Sequence, residues 1–219
     1  MACLSAWCRL AHNIVVPLGF LVALAAGPAI AASPTTTPRA TIQKVTGDVL
    51  AALQANKDAL RKDPARVTAL ITRIVDPYFD YDFMSREALG IAWRRADAQQ
   101  RARFTQAFHK LLVIDYAEVF KQYTDQTIKL TRVRWDNAAH DRATVLSRID
   151  SSGEQPVQVD YRLYYTHGRW QVYDVVVDGI SLLINYRETF ISELQRESLD
   201  TLISRLQQKV AAKKPPVSR

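Results

Sequence analysis

The stretch PVQVDYRLYYTHGRWQVYDVVVDG, residues 156–179, decides the fold class of this 219-residue chain. Large apolar and β-branched side chains recur with a period of two on both sides of His167 and Gly168, which is typical of antiparallel strands joined by a two-residue loop. This loop places Thr166 opposite Arg169. The two predicted strands run from Pro156 to Thr166 and from Arg169 to Gly179.

If this pairing continues without interruption, Tyr161 lies opposite Asp174, and each side chain is assigned to one face of the hairpin. The first face is mainly apolar and is predicted to be buried; it consists of Val157, Val159, Tyr161, Leu163, Tyr165, Trp170, Val172, Asp174 and Val176. The second face is mixed and is predicted to be partly covered; it consists of Arg162, Tyr164, Tyr173, Val175 and Val177.

Two upstream strands and a set of helices complete the prediction. The strands run from Thr127 to Trp135 and from Arg142 to Asp150. Helical spacing of apolar residues predicts helices from Thr41, from Pro64 with Asp63 as its cap, from Asp97 to about Tyr123, and from Leu182 to about Val210 with a break near Ser198. An aromatic stretch, Tyr78 to Phe83, separates the second helix from the third. The predicted fold is α+β, with helices packed over a curved four-stranded antiparallel meander sheet.

The amino-terminal segment resembles a secretory signal peptide. Ile14 to Ala26 is a 13-residue uncharged, mostly apolar stretch, shorter than the roughly 20 residues of a membrane span and followed by the small-residue cleavage pattern Ala29-Ile30-Ala31. We predict cleavage after about Ala31 and export. The predicted organisation is a signal peptide at 1–31, a disordered leader at 32–40, a single domain at 41–210 and a flexible tail at 211–219.

Composition restricts the chemistry of the mature chain. The 48% of hydrophobic residues excludes a disordered protein, and 29 Lys and Arg against 22 Asp and Glu give a net charge of +7 that favours anionic partners.

Cys3 and Cys8 both precede the cleavage point, so no disulfide, thiol nucleophile or cysteine zinc site is predicted. His109, His140 and His167 lack neighbours at metal-ligand spacing, so no metal site is predicted. No interleaved aromatic and basic pattern predicts nucleic-acid binding.

Two features leave a functional and a structural interpretation open. Asp174, on the predicted apolar face, is either a general base of raised pKa or a carboxylate that an Arg or Tyr holds in place. Four arginines near the start of the long helix occupy an unfavourable end for cations. They are either a solvated basic face or a contact for an acidic partner; we predict partner binding by Arg94, Arg95, Arg101 and Arg103.

Two blocks of the sequence resemble the MlaC family, the periplasmic phospholipid-binding component of a lipid-transport system. The more specific block is WQVYDVVVDGISL at residues 170–182, continued by NYRE at 185–188 and by Phe190. The other block consists of ALG at 88–90, WR at 93–94 and ADAQQ at 96–100, followed by Phe104, Phe108, Leu112 and Tyr116. The resemblance covers essentially the whole mature chain. It departs at Ser198, where the family has a glycine before Leu199.

The resemblance implies a soluble periplasmic phospholipid carrier with no enzymatic activity and no cofactor besides its lipid cargo. The acyl chains of one glycerophospholipid would occupy an apolar cavity between sheet and helices, with the headgroup outside. The implied partners are an inner-membrane ABC transporter complex with its substrate-binding ring and an outer-membrane lipoprotein and porin complex. We predict that the cavity is lined by Phe108, Leu112, Tyr116, Val119, Tyr161, Leu163, Val172, Val176, Ile180, Leu183, Ile184 and Phe190.

Two other functions fit the sequence. The first is a small α+β enzyme in which Asp174 acts as general base on an apolar substrate. The second is a lipid-free envelope adaptor that binds proteins through its basic face. The carrier requires a cavity and a bound lipid, whereas the adaptor requires neither.

Overall fold

The computed structural model describes residues 36–56, 64–121, 126–153 and 155–213. The predicted signal peptide, Asp63 and the end of the predicted tail lie outside these ranges. For residues 117–121 only the backbone is described. None of the helices in the described ranges combines the length and the apolar character of a transmembrane span.

The described residues form seven α-helices and five β-strands in the order helices, sheet, helices. The helices are α1 Pro38–Ala55, α2 Pro64–Ile74, α3 Tyr81–Leu89, α4 Ile91–Arg95, α5 Ala98–Lys121, α6 Leu182–Leu194 and α7 Leu199–Lys213, with a 3-10 turn at Asp76–Tyr78. The strands are β1 Thr127–Trp135, β2 Arg142–Asp150, β3 Val157–Thr166, β4 Arg169–Val177 and β5 Ile180–Ser181.

Side-chain caps fix where several helices begin. Helix α1 starts at Pro38, inside the segment predicted as a disordered leader, because the Thr37 hydroxyl accepts a hydrogen bond from the backbone N–H of Ala40 at 3.1 Å. Ser181 caps α6, since its hydroxyl accepts a hydrogen bond from the backbone N–H of Ile184 at 3.1 Å. Ser198 caps α7, since its hydroxyl accepts a hydrogen bond from the backbone N–H of Thr201 at 3.1 Å. Helix α7 therefore begins directly after the break that was predicted near Ser198.

The strands form one open antiparallel sheet in the order β1-β2-β3-β4-β5. The predicted hairpin loop at His167 and Gly168 is confirmed, with Thr166 paired to Arg169. The predicted four strands are one too few, because Asp178 and Gly179 adopt φ values of 47° and 84° and turn the chain back into β5. Two consecutive residues of positive φ are what a tight hairpin turn requires.

The uninterrupted register predicted for β3 and β4 is wrong beyond Leu163. Leu163 pairs with Val172, but the next pair is Arg162 with Asp174, so Tyr173 is an extra residue on β4. Such an extra residue is a β-bulge, and a one-residue slip moves every later side chain to the other face.

The bulge exchanges the two faces of the carboxyl-terminal half of β4. Tyr161 pairs with Val175 instead of Asp174, and Val159 pairs with Val177. Val175 and Val177 therefore share a face with Tyr161, whereas Asp174 and Val176 lie on the opposite face. Tyr173 packs against Phe83 and Tyr164, with ring centroids 5.3 and 5.9 Å away. These aromatic contacts accommodate the extra residue.

Three apolar clusters form the core. The largest joins α3, α5, α6 and α7 around Phe104, Phe108 and Phe190. A second joins α1, α2 and α5, and a third covers the sheet with Ile42 of α1. Between these three clusters, the helices and the sheet are not completely packed against each other.

Candidate functional site

An apolar cavity of about 280 Å³ lies between the helices and the sheet. Helices α1, α3, α5 and α6, the segment that connects α2 to α3, and strands β1 to β4 all contribute side chains to it. Its twenty lining residues are Val45, Thr46, Val49, Val75, Phe79, Tyr81, Met84, Phe108, Leu112, Val113, Tyr116, Ile128, Ile149, Val159, Tyr161, Val175, Val177, Leu182, Leu183 and Tyr186.

Among the described residues, the lining contains no charged side chain. Fifteen of the twenty residues are aliphatic, phenylalanine or methionine, and the others are Thr46 and four tyrosines. A buried hydroxyl without a partner costs free energy, so the position of each tyrosine hydroxyl decides how apolar the cavity is.

The tyrosine hydroxyls find partners in the cavity wall. Tyr81 donates a hydrogen bond to Oδ1 of Asp76 at 2.8 Å, and Tyr186 donates one to Oδ2 of Asp115 at 3.1 Å. The Tyr161 hydroxyl lies beside Ser147. The rings therefore face the cavity while their polar ends belong to the wall, which leaves a surface that can hold hydrocarbon.

Burial also controls the ionisation of these tyrosines. It raises the pKa of Tyr161 to about 12, and it raises the pKa of Tyr116 to about 12 with a further increase from the neighbouring Asp115 carboxylate. Burial is also the largest cause of the raised pKa values of Tyr81 and Tyr186, each of which lies next to an aspartate. The cavity wall therefore carries no tyrosinate at neutral pH.

Five of the twelve residues predicted to bind lipid line this cavity. Four of them come from helices and one from the sheet. They are Phe108, Leu112, Tyr116, Tyr161 and Leu183.

The structure places the other predicted residues elsewhere. Leu163 and Val172 share the cavity face of the sheet but lie under Ile42 of α1, and Phe190 is buried against Phe104 and Phe108. Val176 lies on the opposite face because of the bulge. Ile180 and Ile184 are 64% and 49% exposed. The Val119 side chain lies outside the described residues.

Several lining residues are not among those predicted from the sequence. Val175 and Val177 were predicted on the other face of the hairpin, and Val45 and Val49 of α1 were not predicted to line the cavity. On β1 and β2 the lining comes from a facing cross-strand pair, Ile128 and Ile149, which the alternation of those strands could have revealed.

The comparisons with known proteins agree with this architecture. The model of a family described as MlaC protein matches residues 43–208. The chain belongs to the MlaC family. The match includes all the elements that line the cavity.

Two curated relatives and one solved structure are similar to this MlaC-family chain. The Haemophilus influenzae intermembrane phospholipid transport system binding protein MlaC is 25% identical over 178 residues, 79% of this chain and 82% of the relative. The Pseudomonas putida toluene tolerance protein ttg2D is 29% identical over 183 residues, 83% and 84% of the two chains. The phospholipid-binding protein from Ralstonia solanacearum, solved in complex with a phospholipid, is 27% identical, with a TM-score of 0.74 over 81% of this chain and 99% of that one.

Asp174 of this MlaC-family protein faces away from the cavity. Its side chain is 1% exposed and accepts hydrogen bonds from Arg162 at 2.9 Å, from the Ser181 hydroxyl at 2.7 Å and from the backbone N–H of Leu183 at 3.1 Å. The prediction that Asp174 faces Tyr161 is therefore wrong. Of its two interpretations, the geometry favours a carboxylate that joins β3 and β4 to the start of α6.

The four predicted partner-binding arginines fall into two pairs. Arg101 donates to the backbone carbonyl of Trp93 at 3.0 Å, and Arg103 forms an ion pair with Asp200 at 2.8 Å. These contacts fix α4 and α7 to α5. Arg94 and Arg95 are exposed, and neither has an ion-pair partner among the described residues. Partner binding by any of the four remains a prediction.

Proposed function

We propose that this protein is a periplasmic carrier of glycerophospholipid, exported by a signal peptide that is cleaved after about Ala31. The acyl chains occupy the apolar cavity, and the headgroup stays in water. The carrier moves lipid between an inner-membrane ABC transporter complex with its substrate-binding ring and an outer-membrane lipoprotein and porin complex. The role is transport, without a catalytic step.

The observation that carries this proposal is the chemistry of the cavity wall. All twenty lining residues are uncharged, and Tyr81 and Tyr186 direct their hydroxyls to aspartates in the wall. A wall of this kind offers hydrocarbon contacts and no recognition of charge. The phospholipid complex of the 27% identical Ralstonia solanacearum protein supports the same ligand class.

The energetics explain why a carrier needs a deep cavity. At about 0.8 kcal/mol per methylene, the transfer of roughly 30 methylenes of two acyl chains into water costs about 24 kcal/mol of free energy. A shallow surface patch would therefore return the lipid to the bilayer, whereas a dry cavity competes with it. A diacyl lipid is larger than the drug-sized ligands of ordinary pockets, so the walls of the 280 Å³ cavity must separate during loading.

Native mass spectrometry of the mature protein, purified without detergent, tests the proposal directly. Organic extraction and lipid analysis of the same sample identify what is bound. The expected result is one diacyl phospholipid per chain. Protein that contains no lipid and also fails to take phospholipid from vesicles would contradict the carrier function.

A further inference from the structure

Helix α6 has an apolar face that nothing in the described structure covers. Leu183 and Phe190 are buried in the core. Ile184 and Ile191, also seven residues apart and hence on one face of the helix, are 49% and 42% exposed. Single exposed isoleucines are ordinary on protein surfaces, but an aligned pair on one helix face is typical of an interaction site.

This face borders a groove between α6 and α4. The groove is lined by Ile91 and Arg95 from the α4 side and by Arg187, Ile191 and other residues from the α6 side. Ile91 is 61% exposed, the second most exposed large apolar residue described. Apolar side chains therefore flank the groove on both sides.

The Arg187 guanidinium lies beside the turn between α3 and α4. Gly90 has a φ of +54°, and a Cβ added to it would lie 3.4 Å from Nη2 of Arg187. The guanidinium therefore lies next to Gly90 at the groove, and Arg187 is three residues from Ile184 and four from Ile191 on α6.

The charges of the groove are unbalanced. Glu197 is the one carboxylate in its lining, and Arg205 already pairs with it at 2.7 Å and with Glu193 at 2.6 Å. Arg95 and Arg187 have no ion-pair partner among the described residues. Two free guanidinium groups beside exposed isoleucines complement a segment that offers carboxylates next to apolar side chains.

We propose that the groove between α4 and α6 is the docking site for an acidic, amphipathic segment of a protein partner. Its concave shape accepts inserted side chains, and the planar guanidinium fork binds carboxylates with two parallel hydrogen bonds. A bilayer surface, in contrast, would be matched by a projecting apolar surface. This inference goes beyond cargo binding, and it rests on the proposed function only for the choice of probes.

Binding measurements on the full mature protein test the docking site. The probes are the purified inner-membrane transporter complex with its ring and the purified outer-membrane lipoprotein and porin complex of the same organism, each in lipid nanodiscs. Arg187→Glu and Ile191→Asp should each weaken binding to at least one complex about tenfold or more. Association of the wild-type protein should also slow as NaCl rises from about 50 to about 300 mM.

Arg132→Glu is the matched charge control, since Arg132 lies exposed on β1 and outside the groove. Trp135→Ala is the matched apolar control, since Trp135 is 43% exposed at the end of β1. Both controls should bind like the wild type. Unchanged binding of the groove variants to both complexes would overturn the docking site, as would equal losses in Arg132→Glu. If the groove variants lose binding to anionic phosphatidylglycerol vesicles but still bind both complexes, the groove is assigned to a membrane surface instead.

The lipid content of each variant, measured by native mass spectrometry, separates the two proposals. A wild-type protein that contains no lipid and takes none from vesicles contradicts the carrier function whatever the groove binds. A lipid-loaded wild-type protein whose groove variants bind both complexes normally contradicts only the docking site.

Discussion

Arg162 and Asp174 face each other across β3 and β4 at the point where the register shifts, with Nη1 2.9 Å from Oδ2. Asp174 also accepts hydrogen bonds from the hydroxyl of Ser181 and from the backbone N–H of Leu183. The pair therefore joins the hairpin, β5 and the first turn of α6, and Leu183 in that turn lines the cavity. One carboxylate fixes the sheet relative to a helix that forms the cavity wall.

Replacement of this carboxylate should reduce stability and leave lipid binding intact. Asp174→Asn should lower the free energy of unfolding by about 2–3 kcal/mol, less than the 3–5 kcal/mol of a fully buried broken pair because Arg162 reaches solvent. Ser181→Ala removes one hydrogen bond and a helix cap and should cost about 1 kcal/mol. Urea denaturation measures both losses.

The matched control is Asp160→Asn, on the same strand as Arg162 and less deeply buried. It should change the free energy of unfolding by less than about 0.5 kcal/mol. If Asp174→Asn keeps full stability but loses a turnover that the wild-type protein shows, the structural role is contradicted and the enzyme hypothesis is favoured.

The bulge also yields a test of which valine faces the cavity. Val177→Trp should place an indole ring in the cavity and lower the phospholipid content, because the side chain of Val177 lines the 280 Å³ space. The free energy of unfolding should fall by no more than the roughly 1–3 kcal/mol of an overpacked site. Native mass spectrometry of the folded variant reads out lipid content.

Ile184→Trp is the matched control, because Ile184 is 49% exposed and absent from the cavity lining. This variant should keep one lipid per chain. A lipid-loaded Val177→Trp protein, or a lipid-free Ile184→Trp protein, would show that the cavity described here does not hold the acyl chains.

The elements were predictable from the sequence to the extent that they depend on local patterns. Alternation and the turn residues between the strands set the bounds of β1 to β4 within two residues of those observed. The bulge was not predictable, since the place of Tyr173 depends on rings from α3 and β3 that periodicity does not bring together. The error at one residue then reversed the face of Asp174 and Val176.

The cavity was less predictable than the elements for a related reason. Helical spacing identifies Val45 and Val49 as an apolar face but does not say whether that face meets another side chain or empty space. Phe190 and Phe108 each lie on the apolar side of a helix by their spacing. Phe190 is nevertheless packed in the core, whereas Phe108 also borders the cavity. Only the assembled fold distinguishes filled from unfilled interior.

The buried tyrosines predict a loss of stability at alkaline pH. The pKa of Tyr161 is raised to about 12 from an unfolded value of about 10. The neutral form is favoured in the folded state, so the contribution is fully present below pH 10 and is lost as the pH rises from 10 to 12. Two pKa units correspond to roughly 3 kcal/mol. Tyr161→Phe should therefore lose less stability than the wild type in urea denaturation between pH 9 and pH 12, and parallel losses would contradict this ionisation.

Headgroup selectivity should be weak because charge plays no part in the cavity lining. None of its twenty residues is charged, and Tyr81 and Tyr186 direct their hydroxyls to aspartates in the wall. The transfer free energy then comes from the acyl chains, which phosphatidylethanolamine and phosphatidylglycerol share. Vesicles with equal amounts of the two lipids and the same acyl chains should load the protein in a ratio within about threefold of one, since a single desolvated hydrogen bond to a headgroup charge would already change the ratio by about tenfold or more. A tenfold preference in the extracted lipid would require a headgroup site that the cavity lining does not provide.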